Sequence, residues 1–178
     1  PNTVMKGYLN MPEKTLEAFS NLWLHTGDRG YVDKDGFFYF QDRMKDAMRR
    51  RGENISSFEV ERMVNAHPDV VESAVVAADS ELDEDEVLAV IVLREESEVT
   101  NEQLLTFFAE TMPYFMVPRY IRTMDKLPRT PTQKVRKVEL RQQGVTQDTW
   151  DCILAGLKVT KNGIKRQCVK KRLLTLPR

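Results

Sequence analysis

The sequence contains few cysteines and no long hydrophobic run, and each scarcity excludes a class of protein. The 178 residues include two cysteines, Cys152 and Cys168, and no CxxC motif. Two cysteines are too few for a disulfide scaffold, and the lack of paired CxxC motifs argues against a zinc site. No segment approaches the roughly 18 consecutive apolar residues of a membrane-spanning helix. We therefore expect a cytoplasmic protein without a membrane span or a bound metal.

The chain also lacks a net charge, since Lys plus Arg and Asp plus Glu each number 27. A neutral chain has no global attraction to nucleic acid, and we expect no nucleic-acid partner. The charges are nevertheless unevenly placed. Residues 79–98 contain nine acidic residues and one basic residue, whereas residues 158–178 contain eight basic residues and no acidic one. Contact of this basic end with an anionic surface or a nucleic acid is a minor alternative.

What is present fits a soluble globular protein, because 41% of the residues are hydrophobic and 30% are charged. Eight glycines and eight prolines exclude a collagen-like or low-complexity sequence. The length suits one hydrophobic core plus a fragment or a tail. The chain starts at Pro1, and the first eight residues lack the basic and apolar regions of a signal peptide. We expect a fragment or a processed chain.

The first 42 residues predict the edge of a larger domain. Residues 12–20 begin with Pro12 and place apolar side chains three residues apart, which predicts a short helix. Asp35-Gly36 lies between two aromatic and β-branched runs and predicts a hairpin. A helix and a hairpin cannot bury a core of their own. We therefore predict that residues 1–42 end a large N-terminal domain that is missing here.

Residues 43–150 predict a small α+β domain with a three-stranded sheet flanked by helices. A capping box, Ser56-Ser57-Phe58-Glu59, predicts a helix through about Ala66, and Thr100-x-x-Gln103 starts a second helix. Buried strands are predicted at residues 70–78, 87–93 and 119–124, and a last short helix at residues 135–143. Residues 151–178 have little apolar pattern and predict a tail without fixed structure.

Three motifs contain residue types that suit a nucleotide or another anion. Thr26-Gly27-Asp28 combines a tight turn with a carboxylate that can accept hydrogen bonds from two vicinal hydroxyls. Residues 43–51 hold five basic residues before Gly52, and such a cluster attracts phosphate. Residues 127–135 form a loop with two prolines and a lysine, Lys134, that could contact a phosphate or carboxylate. Each motif alone is equally typical of a solvated turn, linker or loop.

The order and spacing of the motifs are far more specific. T-G-D, D-R-x-K-D, R-G-E-N-I-S-x-x-E-V-E, P-Y-x-M-V-P and L-P-R-T-P-T-x-K-V follow one another. Together they closely resemble the C-terminal third of the acyl-adenylate-forming enzymes, which include acyl-CoA synthetases, peptide-synthetase adenylation domains and beetle luciferases. The resemblance runs from about Val4 to Val159. The form R-R-R-G-E-N-I-S-S is most similar to the acyl-CoA ligases, in particular those of the crotonobetaine/carnitine type.

The resemblance implies two half-reactions: a carboxylic acid and ATP form an acyl-adenylate and pyrophosphate, and coenzyme A then displaces AMP. Asp28 matches the carboxylate that holds the ribose hydroxyls, and Arg43 matches the arginine that supports it. Lys45 matches the hinge about which the C-terminal domain rotates between the half-reactions. Lys134 matches the catalytic lysine of adenylation. ATP, Mg²⁺ and coenzyme A are therefore implied for the full-length enzyme, together with a small carboxylic acid.

The loop Arg51, Gly52 and Glu53 matches the one that lines the pantetheine tunnel during thioester formation. The sequence departs from the family at Gln133, where a glycine usually precedes the catalytic lysine. If this position needs a positive φ, glutamine is strained there. The phosphate-binding Gly-rich loop of the family is also not found in the sequence.

We therefore expect the chain alone to be inactive, and to self-associate if it exposes apolar surface. The alternatives are an adenylate-forming enzyme with an acceptor other than coenzyme A, and a non-catalytic binding module of the same fold.

Overall fold

The computed structural model describes residues 4–80 and 84–167. The chain divides into two compact units, the first ending at Lys45 and the second starting at Asp46. Among the described residues, no helix is both long and apolar enough to span a membrane.

The first unit contains the predicted helix and hairpin. Helix α1, Pro12–Ala18, has its proline in the first turn, where a missing N–H costs nothing. Strands β1, Asp28–Val32, and β2, Phe38–Arg43, pair antiparallel around the predicted turn. Of residues 4–45, only Asp42 is buried, so this unit has no apolar core within that range. That residues 1–42 end a larger domain stays a prediction.

The second unit begins with a tight hairpin that leads into a capped helix. Strands β3, Met48–Arg50, and β4, Glu53–Ile55, are antiparallel and are followed by helix α2, Ser57–Val64. The Ser56 hydroxyl accepts a hydrogen bond from the Glu59 N–H at 3.3 Å, as the predicted capping box requires. Helix α3, Asn101–Thr111, has both bonds of its predicted capping box, and helix α4 covers Lys137–Gln143.

The α+β fold is confirmed, but the main sheet has four strands rather than the predicted three. Its strand order is β5-β6-β7-β8, with β5 at Val70–Asp79, β6 at Asp85–Leu93, β7 at Tyr120–Thr123 and β8 at Trp150–Asp151. Only β6 and β7 are parallel. The two residues of β8 are too short for a sequence pattern. Their position depends on pairing between Tyr120 and Asp151, which no local signal encodes.

Helices cover both faces of this sheet. Side chains of α2 and α3 form one buried cluster with Val87, Ala89 and Ile91, whereas Leu140 of α4 packs with Leu88 and Val90 on the other face. Strand β6 is therefore buried on both faces, which explains its continuous run of Val, Leu, Ala and Ile.

The prediction of a tail without fixed structure was wrong for residues 151–166. Strands β9, Leu157–Thr160, and β10, Gly163–Arg166, form an antiparallel hairpin. Cys152, Leu157 and Val159 are buried in the core cluster of α2 and α3. The alternation of Leu157 and Val159 with exposed Lys158 is a strand pattern, which the high basic charge of this segment obscured. The remainder of the predicted tail, residues 168–178, lies outside the described residues.

Candidate functional site

The predicted ribose-binding pair lies side by side on the β1–β2 hairpin. Asp28 is the register partner of Arg43, and the Arg43 Nε lies 3.3 Å from the Asp28 Oδ1. Gly27 adopts φ 74°, a turn that brings the Thr26 hydroxyl to the Asp28 N–H at 3.2 Å. The pair is largely exposed and contributes little to stability. The structure therefore presents a carboxylate and a guanidinium together on an accessible strand end.

Lys45 is the last residue of the first compact unit and is exposed. The next residue, Asp46, accepts a hydrogen bond from Arg141 Nη2 at 2.7 Å within the second unit. The position of Lys45 between two compact units agrees with the predicted hinge, which itself stays a prediction.

Arg51 and Gly52 form the two-residue turn of the β3–β4 hairpin. Their φ angles are 55° and 78°, the positive values that both central residues of a type I′ turn require. The backbone N–H of Arg51 donates to Glu84 Oε2 at 2.7 Å, and that of Arg49 donates to Asp85 Oδ2 at 2.8 Å. An added Cβ at Gly52 would meet no atom within 4 Å. The carboxylates of Glu84 and Asp85 therefore bind the backbone of this hairpin, whereas the space that a Cβ of Gly52 would occupy is open.

A second cation, Lys161 of the C-terminal hairpin, contacts the same aromatic ring as Arg51 of this turn. The Arg51 guanidinium carbon lies 5.2 Å from the centre of the Tyr114 ring, and Lys161 Nζ lies 5.6 Å from the same centre. No motif in the sequence indicates Lys161, because residues 151–178 are predicted to form the tail. A lysine beside Asn162-Gly163, between two short alternating strands, is the signal that could have placed it at a hairpin turn.

Arg50 has a structural role, although it belongs to the basic cluster of residues 43–51 that was predicted to attract phosphate. It is 4% exposed, and its Nε lies 2.7 Å from Glu86 Oε2. Its Nη1 donates to the carbonyl oxygens of Val117 at 2.7 Å and Phe115 at 3.2 Å. Burial lowers the pKa of Arg50, and the neighbouring carboxylate of Glu86 opposes this shift. Arg50 therefore ties the β3–β4 hairpin to β6 and to the chain before β7.

Lys134 lies at the tip of a hydrogen-bonded loop between β7 and α4. An isolated bridge joins Arg129 to Val135, and the Thr130 N–H donates to the Lys134 carbonyl at 2.8 Å. The Lys134 N–H in turn donates to the Thr130 hydroxyl at 3.1 Å. The lysine side chain is exposed. A loop closed by these hydrogen bonds thus presents the Lys134 side chain to the solvent, and its catalytic role stays a prediction.

Gln133, the departure from the family pattern, has φ 64°. This left-handed conformation is the condition under which the sequence analysis expected strain. A side chain with a Cβ is disfavoured there by about 1–2 kcal/mol, whereas glycine is not. The loop nevertheless closes, because the Gln133 N–H donates to the Thr130 carbonyl at 2.9 Å.

Two other chemistries find no support in the described residues. No three His, Cys, Asp or Glu side chains come together as a metal site within them. Burial raises the pKa of the Cys152 thiol to about 11, so this residue is a poor nucleophile at neutral pH.

Comparison with known proteins shows which proteins this chain resembles. Residues 59–134, which run from α2 to Lys134, match the family model of the AMP-binding enzyme C-terminal domain. The solved structure of ATP-bound MatB from Rhodopseudomonas palustris has a TM-score of 0.70 and 33% identity, over 79% of this chain and 28% of that one. The predicted resemblance to acyl-adenylate-forming enzymes is therefore confirmed.

Individual relatives are ligases. The crotonobetaine/carnitine–CoA ligase of Salmonella arizonae is 38% identical over 140 residues, which are 78% of this chain and 27% of that protein. A fatty acid–[acyl-carrier-protein] ligase, ScoC of Streptomyces coeruleorubidus, is 37% identical over 139 residues, 78% of this chain and 27% of that protein. The chain thus spans about a quarter of the length of these relatives.

Proposed function

We propose that this chain is the C-terminal part of an ATP-dependent acid–CoA ligase that works through an acyl-adenylate. The observation that carries the proposal is the placement of Lys134, an exposed cation on a hydrogen-bonded loop at the end of the region that matches the AMP-binding C-terminal domain. A carboxylate and the α-phosphate of ATP repel each other as they approach. A cation held between them stabilises the charge that develops in the transition state.

In this proposal the first unit contributes to nucleotide binding. Asp28 accepts hydrogen bonds from the two ribose hydroxyls, and Arg43 holds its carboxylate through the 3.3 Å ion pair. Lys45 absorbs the backbone change when the second unit rotates between half-reactions. Mg²⁺ accompanies the ATP phosphates, as phosphoryl chemistry generally requires. The acid-binding pocket and the phosphate-binding loop lie in an N-terminal part, without which we expect no turnover.

Coenzyme A is the acceptor that the β3–β4 turn favours. The turn of Arg51, Gly52 and Glu53 exposes backbone with no side chain above Gly52, which suits the close passage of a thin pantetheine chain. The similarity to a crotonobetaine/carnitine–CoA ligase supports this choice. The similarity to an acyl-carrier-protein ligase supports the alternative, a related enzyme that transfers the acyl group to another acceptor.

The test uses the natural full-length protein. AMP release is followed with ATP, Mg²⁺, coenzyme A and a panel of carboxylic acids that includes carnitine-like betaines. We expect AMP release that depends on both an acid and coenzyme A, and none from the present chain alone. Release that depends on an acid but not on coenzyme A would favour the other acceptor. No release with any acid would favour a non-catalytic binding module.

A substitution at Gly52 separates the two half-reactions. We expect Gly52→Ala to slow thioester formation from a supplied acyl-adenylate about tenfold, since the left-handed φ of 78° costs a residue with a Cβ about 1–2 kcal/mol. Adenylation is expected to change less than about twofold, because the turn serves only the second step.

The matched control for this substitution is Gly36→Ala on the β1–β2 turn. Gly36 also has a positive φ, 88°, and an added Cβ there would meet no atom within 4 Å, so the substitution imposes comparable strain on a hairpin turn of the other compact unit. Equal losses in the two variants, or a loss of adenylation in Gly52→Ala, would contradict the proposed role of the turn.

A further inference from the structure

We propose that Arg129 is a positioning residue for Lys134, acting through a link between the Gln133 carbonyl and Glu72 on the central sheet. The inference rests on the proposed function and adds to it roles for two residues, Arg129 and Glu72, to which the family resemblance assigned no function. Its basis is the peptide unit that immediately precedes the lysine.

Arg129 joins the loop to the sheet through two different nitrogens. Its Nη1 donates to the Gln133 carbonyl oxygen at 2.7 Å, and its Nη2 forms an ion pair with the Glu72 carboxylate. Glu72 belongs to β5 and pairs in register with Val92 of β6. The two partners are 57 residues apart in the chain. The guanidinium thus connects the Lys134 loop to a strand of the folded core.

The peptide between Gln133 and Lys134 is held at both of its polar ends. Its carbonyl accepts the hydrogen bond from Arg129, and its N–H, which belongs to Lys134, donates to the Thr130 hydroxyl at 3.1 Å. A peptide unit is planar, so two bonds in different directions determine its orientation. That orientation sets the direction in which the Lys134 side chain leaves the backbone.

Gln133 is the reason that this peptide needs support. Its φ of 64° lies in the left-handed region, which is unfavourable for a residue with a Cβ but not for glycine. Without the bond from Arg129, the peptide can rotate toward a common φ and turn Lys134 away. In a loop with glycine at this position, the same conformation needs no such support.

The chemistry of arginine suits this role. A planar guanidinium presents several N–H donors in a rigid fork, so one residue can serve a carboxylate and a carbonyl at once. The Glu72 carboxylate also neutralises the Arg129 charge. Lys134 therefore remains the cation that this loop offers to the substrate.

The test measures the two half-reactions separately in the full-length enzyme. We expect Arg129→Gln and Glu72→Gln each to lower acid-dependent pyrophosphate exchange by about 10–100-fold, the effect of a small misplacement of a catalytic group. Thioester formation from a supplied acyl-adenylate should be unchanged. The double variant of Arg129→Gln and Glu72→Gln should lose no more pyrophosphate exchange than the more impaired of the two single variants. Arg136→Gln is the control. Arg136 follows the Lys134 loop in the sequence, and its salt bridge is to Glu139 in the first turn of α4.

The decisive comparison places Arg129→Gln in a Gln133→Gly background. Since glycine adopts the left-handed φ freely, we expect the loss from Arg129→Gln to fall to within about threefold there. If Arg129→Gln lowered pyrophosphate exchange as strongly in that background as in the parent, Arg129 would contact the substrate directly and the positioning role would be overturned. The same conclusion would follow if Glu72→Gln did not reproduce the loss caused by Arg129→Gln.

Amide hydrogen exchange gives a second readout that does not need turnover. The Lys134 amide should exchange faster in Arg129→Gln than in the parent, and Gln133→Gly should restore its protection. Unchanged exchange together with unchanged adenylation in an active parent would overturn this inference alone. A parent inactive with every acid would overturn the proposed function, and the positioning role of Arg129 with it.

Discussion

Replacing Lys134 with alanine in the full-length enzyme is expected to lower the rate of acyl-adenylate formation by about 10²–10³-fold, the usual cost of removing one preorganised charge-stabilising group. The loop around the lysine depends on backbone bonds and on the Thr130 hydroxyl, so its fold should survive the change. Acid-dependent pyrophosphate exchange measures this step directly.

Two controls make the Lys134 result specific. Lys126→Ala removes another exposed lysine from the same β7–α4 connection and should leave exchange unchanged. Thioester formation from a supplied acyl-adenylate should also persist in Lys134→Ala, because the lysine serves only the first step in the proposed mechanism. If Lys134→Ala did not slow adenylation, the loop of Gln133 and Lys134 would have no catalytic role. That result would favour the alternative in which this domain is a non-catalytic binding module of the same fold.

Local signals in the sequence predicted elements whose geometry depends on neighbouring residues. Ser56 and Thr100 were expected to start helices, and both accept the hydrogen bond of a helix cap. Asp35-Gly36 predicted a hairpin, which the structure contains. In each case a few consecutive residues satisfy the backbone groups of the turn or the helix end.

Features that depend on distant residues were not predicted. Strand β8 exists because Trp150–Asp151 pairs with β7, and Asp151 accepts hydrogen bonds from Arg119 at 3.0 and 3.3 Å. The link from Arg129 to Glu72 joins a loop to a strand 57 residues earlier. A charged residue looks the same in a sequence whether it is solvated or paired, so such contacts need the fold before they can be recognised.

The family pattern proposed Asp28, Arg43 and Lys134 for the candidate site, and their roles stay predictions. The motif positions suggested that Asp28 would lie beside Arg43, and the strand register brings them together. The glycine usual at the position of Gln133 left two alternatives open, a strained positive φ or a different loop, and the structure has the positive φ of 64°. Lys161 lies outside the motifs and Tyr114 lies within P-Y-x-M-V-P, but their contact depends on where the C-terminal hairpin packs.

The largest effect on stability is expected at Arg50. Arg50→Ala should lower the free energy of unfolding by about 3 kcal/mol, the lower end of the range for breaking a buried ion pair. The loss leaves Glu86 without its 2.7 Å partner and removes the donor to the Val117 carbonyl. We expect the lower end because Glu86 stays 17% exposed and keeps Arg119 at 3.7 Å.

Arg49→Ala is the matched control for Arg50→Ala, since Arg49 is the preceding residue on the same strand and its side chain is exposed. Its recorded bond to Asp85 runs through the backbone N–H and survives the substitution. Urea unfolding of the parent protein, Arg49→Ala and Arg50→Ala is followed by circular dichroism. The midpoint should be much lower for Arg50→Ala alone. Equal midpoints for both variants would show that Arg50 is no more than another surface cation. A large loss confined to Arg50→Ala would establish that one arginine of the basic cluster supports the hairpin from inside.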